Sequence, residues 1–303
     1  MSTLLLLENA EVFAPEPLGT QHLLVAGGKI VWMGALRPEV PAGTQTADLR
    51  GRRVVPGFVD GHVHLTGGGG ESGFASRVPP PALSQYTRAG VTSIVGVLGT
   101  DDCTRHTRDL VAQALGLREQ GISAWCHTGG YHLPPVTLTG SVRDDIVYLD
   151  PVIGLGEVAI SDHRSSQPTL DELLRLASEV HVGGLITGKA GILHLHLGDG
   201  ARGLELVVQA LALSELPARV FNPTHVNRKR ALFEEALALA RQGCVVDLTA
   251  FPVSESEDAW PAHEALVRYF ASGAPAQNIT VSSDGGGCLA VFDDQGQMLS
   301  MDV

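Results

Sequence analysis

Pro56-Gly57-Phe58-Val59-Asp60-Gly61-His62-Val63-His64 is a β-type run that ends on two histidines separated by a single residue. Side chains two apart on a strand project to the same face, so His62 and His64 point together. At the carboxyl end of a strand that lines a barrel, that face is the mouth, where neutral imidazole nitrogens can hold a divalent metal. A pair of core histidines would show the same H-x-H spacing, so the meaning of the pair depends on what surrounds it.

Outward from this stretch, the chain repeats one unit. Apolar, β-branched runs lie near residues 54–62, 91–98, 122–129, 152–160, 191–197, 219–225, 244–249 and 279–284, which makes eight strands. Between most of them are alanine- and leucine-rich stretches long enough for a helix, at 110–120, 170–180, 203–214, 231–242 and 263–272. Eight alternating units predict an α/β chain folded as a (β/α)8 TIM-type barrel; a doubly wound open sheet is the alternative. Before the barrel, residues 3–50 carry short β-runs broken by turns such as Gly27-Gly28-Lys29, so residues 1–53 are expected to form a small sandwich-like β-domain and 54–303 the catalytic barrel. After the eighth strand comes only the polar stretch 293–303, with no pattern for a covering helix. The expectation is a shortened C-terminal segment.

The composition narrows the classes. With 303 residues, 44% of them hydrophobic and 18% charged, the chain has ample material for a buried core. Lysine and arginine number 21 against 33 acidic residues, a net charge of -12, which argues against a nucleic-acid partner. The leucines of residues 1–10 lack the length and flanks of a membrane anchor or leader and read as a strand. Four cysteines lie far apart with no C-x-x-C pair, as suits a reducing cytoplasm.

Further chemistry stands at the ends of later strands. Glu157 is near the end of the fourth, His196 closes the fifth, His225 the sixth and Asp284 the eighth. In a barrel all of these ends surround one mouth, so four histidines and two acids could converge on two metals. A nitrogen and oxygen donor set suits zinc and is compatible with other divalent ions.

This arrangement resembles the metal-ligand pattern of the amidohydrolase superfamily. Gly67-Gly68-Gly69-Gly70-Glu71, Thr128-Gly129-Gly130-Tyr131-His132, Ile160-Ser161-Asp162-His163-Arg164-Ser165 and the run from Pro223 to Arg228 look specifically like the isoaspartyl dipeptidases, and the likeness extends over nearly the whole chain. The resemblance implies two zinc ions per chain, one held by His62 and His64, the other by His196 and His225. Asp284 would be a ligand to the first and the base for the attacking water. Tyr131 would polarise the scissile carbonyl, Glu71 take the substrate ammonium, and Arg164 and Arg228 each clamp a carboxylate, with smaller contacts from Gly69, Thr100 and Cys288. The implied substrate is a small β-aspartyl dipeptide, with no membrane or nucleic-acid partner and with self-association into a homo-oligomer. Another amidohydrolase activity, on cyclic amides or N-acyl amino acids, is the alternative within the superfamily, and a metal-binding barrel without turnover the alternative outside it.

The sequence departs from the family in one telling place. Where the family carries a lysine modified to a carbamate that bridges both metals, this chain reads Gly154-Leu155-Gly156-Glu157-Val158. A glutamate also presents one negative charge through two oxygens, but its carboxyl carbon is closer to the backbone. The stretch holds one residue more than the family pattern, and glycine in a strand is where a bulge forms. A bulge at Gly156 is therefore expected to carry Glu157 inward. Cys288 stands where the family tends to have a small hydroxyl residue, and His194, two residues before His196 on the same face, is expected to pack within the barrel, with a place as an extra ligand the alternative.

Overall fold

In this computed structural model, residues 4–255, 257–292 and 298–302 are described. The chain separates into two compact units, residues up to 58 and residues from 59 on. The first is a sheet in which β1 (Leu5–Phe13) pairs antiparallel with β2 (Pro17–Ala26) and β2 with β3 (Lys29–Gly34), while β4 (Gln45–Asp48) and β5 (Arg53–Val54) run parallel to β1. Alternation along β1 buries Leu6, Ala10 and Val12, and the last two pack with Leu23 into a small core of their own.

The second unit alternates strand and helix. In order come β6 (Phe58–Val63, its first residue closing the first unit), α1 (Leu83–Arg88), β7 (Val91–Gly96), α2 (Thr107–Glu119), β8 (Ser123–Thr128), α3 (Val142–Tyr148), β9 (Val152–Ile160) and α4 (Leu170–Thr187). There follow β10 (Ile192–Leu197), α5 (Glu205–Leu213), β11 (Phe221–Thr224), α6 (Arg230–Gln242), β12 (Val246–Thr249), α7 (Ala262–Ala271) and β13 (Ile279–Ser282). A hairpin of β14 (Leu289–Phe292) and β15 (Met298–Asp302) comes after the eighth barrel strand, where the sequence showed no helix; residues 293–297 and 303 of that polar stretch lie outside the described residues.

Six strands, β6 to β11, form one curled parallel sheet, and β12 pairs parallel with β13. Backbone bonds close the circle. Val226 N donates to Asp247 O at 3.3 Å, Asp284 N to His62 O at 3.1 Å and His64 N to Gly285 O at 2.9 Å, with a parallel bridge from Val63 to Gly285. This is a TIM-type barrel, with the strand ends that matter gathered at one rim.

Local chemistry sets the helices. Thr169 and Glu172 form a reciprocal capping box that starts α4, and Gly188, at φ 69°, ends it. On α6 the buried residues Leu232, Phe233, Ala236, Leu237, Leu239 and Ala240 recur at helical spacing and face the barrel core. Among the described residues no helix is long and apolar enough to cross a membrane.

Candidate active site

His62 lies on β6 and His64 just past its end, and both are buried. Opposite them, β9 and β10 slip register: Leu193 pairs with Leu155 but Leu195 pairs with Val158, so Gly156 and Glu157 together face His194. This is the two-against-one count of a β-bulge at the glycine. A Cβ on Gly156 would stand 2.7 Å from His194 Cβ and 2.8 Å from its carbonyl oxygen, so only glycine fits the close approach. The extra residue directs Glu157, 1% exposed, into the barrel.

The Glu157 carboxylate lies between two histidine pairs. Its Oε1 is 3.5 Å from His62 Nε2 and 3.5 Å from His64 Nε2; its Oε2 is 2.9 Å from His196 Nδ1 and 3.5 Å from His225 Nε2. Asp284 completes the first half, with Oδ1 3.3 Å from His62 Nε2 and 3.0 Å from His64 Nε2. His225 and Asp284 each sit just past a strand end at positive φ, 61° and 56°, a turn that is costly for non-glycine residues. Gly99 makes room for His64, whose Cε1 would come within 2.7 Å of a Cβ there.

The donor set fits divalent cations. Buried His62 Nε2, His64 Nδ1 and Asp284 Oδ1 have no hydrogen-bond partner, although buried polar atoms are nearly always paired. Atoms bound at ~2.0–2.1 Å to one tetrahedral ion lie roughly 3.3–3.4 Å apart. The separations among His62, His64, Glu157 and Asp284 run from 3.0 to 3.5 Å. Two triplets, His62 with His64 and Asp284 and His62 with Glu157 and His225, bring their ligand atoms within 4.8 Å of one another.

Charge follows the same logic. Burial works against ionisation of Glu157 and Asp284, yet the surrounding imidazoles outweigh it and hold both carboxyls well below their ordinary values. Burial likewise opposes a cation at His62, but the carboxylates of Glu157 and Asp284 prevail and raise its pKa well above that of free imidazole. The centre thus calls for positive charge between its two acids.

Above the centre opens a cavity. His64, Glu157, His196 and Asp284 form its floor, and Gly69, Glu71, Thr100, Tyr131, Arg164, Arg228 and Cys288 line its walls, while His62 and His225 stand behind the floor. Tyr131 OH lies 2.8 Å from His196 Nδ1, and burial raises its pKa so that the hydroxyl stays protonated. Glu71 Oε1 accepts from Thr100 Oγ1 at 2.9 Å and Arg164 Nη1 at 3.2 Å, and Cys288 Sγ is 3.7 Å from its other oxygen. Arg228 Nη1 donates to Leu197 O at 3.3 Å, while its buried Nε has no partner. Every residue singled out in the sequence for metal or substrate therefore lies at this one rim.

Two residues here went unassigned in the sequence, and a third, His194, has a contact beyond its expected packing. Asp162 fixes Arg164 through a fork, Nε to Oδ1 at 3.0 Å and Nη2 to Oδ2 at 2.7 Å, and its Oδ2 is also 3.1 Å from His196 Nε2. Its place beside Arg164 in the quoted motif was the available signal. Buried Arg105 holds the glycine loop by donating to the carbonyls of Thr66, Gly68 and Gly69, which positions Glu71. His194 does pack within the barrel, buried and stacked on His127, and in addition its Nε2 lies 2.8 Å from His62 Nδ1.

No protein-family model matches the chain. A β-aspartyl dipeptidase from Fervidobacterium islandicum AW-1, solved in complex with β-Asp-Leu dipeptide, superposes with a TM-score of 0.93 at 42% identity, covering 100% of this chain and 78% of that one. A dihydroorotase structure, at 17% identity and a TM-score of 0.60, shares the fold. Among curated proteins, the imidazolonepropionase of Paenarthrobacter aurescens (strain TC1) is 30% identical over 141 residues, which span 46% of this chain and only 34% of that protein. The identity shared with the dipeptidase along this entire chain, on a barrel of the same shape, places it in the β-aspartyl dipeptidase family of the amidohydrolase superfamily.

Proposed function

We propose that the chain hydrolyses the isopeptide bond of β-aspartyl dipeptides with a metal-activated water. The observation that carries this reading is the juxtaposition, in one cavity, of Glu71, Arg164 and Arg228 with the carboxylate-bridged histidine centre. A β-aspartyl dipeptide has one ammonium and two carboxylates, and these three side chains supply the complementary charges. A neutral or singly charged substrate would not require all three.

Divalent cations held by His62, His64, Glu157, His196, His225 and Asp284, zinc foremost, would lower the pKa of a water to ~7 and supply Lewis acidity. Asp284, ionised and with Oδ1 unpaired, takes the proton of the attacking water and returns it to the leaving amine. Tyr131 donates its hydroxyl to the carbonyl oxygen as negative charge develops there. Glu71 holds the substrate ammonium through the acceptor sites left beside its bonds to Thr100 and Arg164. Asp162 keeps Arg164 fixed, so the guanidinium remains at the cavity wall to meet a carboxylate. Cys103, Cys126, Cys244 and Cys288 are all free, which supports a reducing, cytoplasmic setting.

The test is a paired assay on the zinc-loaded chain: metal content per chain, and hydrolysis of β-Asp-Leu beside α-Asp-Leu. Cleavage of the β-linked dipeptide alone is the expected result. Turnover of cyclic amides or N-acyl amino acids in its place would assign another amidohydrolase activity, and bound zinc with no turnover of any such substrate would leave a metal-binding barrel.

A further inference from the structure

Behind the metal-facing edge of His62 runs a chain of hydrogen bonds whose polarity is fixed at its far end. Asn222 Nδ2 is 2.7 Å from Val245 O. A backbone carbonyl only accepts, so the amide nitrogen must stand there, which turns Asn222 Oδ1 toward His194. His194 Nδ1 lies 2.6 Å from that oxygen, and because a side-chain carbonyl also only accepts, Nδ1 carries a proton. His194 is buried, and its ring stacks on buried His127 with centroids 5.3 Å apart and planes at 22°. With its proton on Nδ1, the ring presents Nε2 as a lone pair, the arrangement required across this contact by a His62 that gives its own Nε2 to a cation. That lone pair is 2.8 Å from His62 Nδ1, which must therefore donate.

We infer that Asn222 and His194 form a relay, anchored on the Val245 carbonyl, that sets the tautomer of His62 and so presents its Nε2 lone pair to a cation at the mouth. The relay serves one half of the centre. His225 Nδ1 has as its partner the Thr249 hydroxyl, at 2.7 Å, which can donate or accept and so dictates nothing. The glycine that lets Glu157 bulge inward is also the one pressed against His194, so the same local packing seats the bridging carboxylate and the relay. His194 and Asn222 are positioning residues that act through His62. The inference rests on the metal-holding part of the reading above and not on the substrate.

The test combines a ring-nitrogen measurement on the wild-type chain with two variants. Long-range 1H–15N spectra of the full-length protein at neutral pH should show His194 as a neutral ring protonated at Nδ1, the less common tautomer; protonation at Nε2 overturns the relay without any variant. In chelator competition, His194→Leu should weaken zinc binding at one of two sites by roughly 10–100-fold, whereas His194→Gln, whose amide offers oxygen to His62 and NH2 to Asn222, should stay within about threefold of wild type. Equal losses in the two folded variants, or none in either, would reject the relay. Wild-type protein that binds no zinc at all would reject the metal reading itself, and a chain that binds zinc but leaves β-Asp-Leu uncut would reject only the substrate.

Discussion

One layer below the mouth, Asp247 accepts hydrogen bonds from three hydroxyls, Thr280 at 2.5 Å, Thr224 at 2.8 Å and Ser282 at 2.5 Å. At the mouth, Asp284 leaves Oδ1 without a partner. Both are barrel-facing acids, yet burial raises the pKa of Asp247 despite its donors, while the imidazoles of His62 and His64 overcome burial and lower that of Asp284 well below its ordinary value. Neutral hydroxyls satisfy an oxygen's geometry without supplying charge; imidazoles and cations supply it. The contrast separates an acid that is part of the architecture from acids kept ionised for a cation.

The largest effect should come from removing the acid that joins the two halves of the mouth. Glu157→Ala leaves four histidines and Asp284 with nothing between the pairs. Loss of a buried charge partner costs ~3–5 kcal/mol, or roughly 10²–10⁴-fold in affinity for the more weakly held cation. Metal content should fall to one ion per chain or fewer, with hydrolysis falling alongside it. A variant that keeps both ions would show that Glu157 is not the bridge.

A smaller effect, confined to the cavity wall, is expected from Arg228→Met. The side chain keeps its apolar length but loses the guanidinium and the unpaired Nε. A lost hydrogen bond to a charged group is worth ~1.5–3 kcal/mol, a 10- to 200-fold drop in kcat/KM for β-Asp-Leu, carried mainly by KM. Metal content should not change. A fall in bound metal would mean that wall and floor are not separable as the contrast between them requires.

How much of this was legible in the chain depends on how local each signal is. Barrel strands are buried on both faces, so all eight showed as apolar runs, and α2, α4, α5, α6 and α7 showed as amphipathic stretches. The helices α1 and α3 did not, because six or seven residues give less than two turns of pattern, and α1 also follows Pro79-Pro80-Pro81. The metal-type residues were readable because a barrel converts the end of a strand into a place at the rim. His194 was harder: it shares a face with His196 but lies one step of ~6.6 Å deeper, and its role depends on Asn222 from the next strand, a pairing no periodicity encodes. Arg105 and Asp162 act through carbonyls and a guanidinium brought near by loops, and loop geometry leaves no repeat to read.

The smallest change falls in the deeper layer. Asp247→Leu strands the buried hydroxyls of Thr224 and Ser282 and removes the acceptor of Thr280, which should lower stability by ~1–3 kcal/mol in urea unfolding while leaving bound metal unchanged. Asp247→Asn keeps an acceptor, and the comparison with wild type then isolates the ionisation. Because the folded state raises this carboxyl's pKa, it holds the proton more tightly than the unfolded chain does. The group's contribution is therefore full below the ordinary carboxyl value near ~4 and is lost as pH rises through the folded value. Wild type should gain on Asp247→Asn as the solution is acidified from neutrality and lose that gain as the pH is restored. A difference that instead grows toward neutral pH would mean that Asp247 is held ionised like Asp284, and the distinction between the two layers would fail.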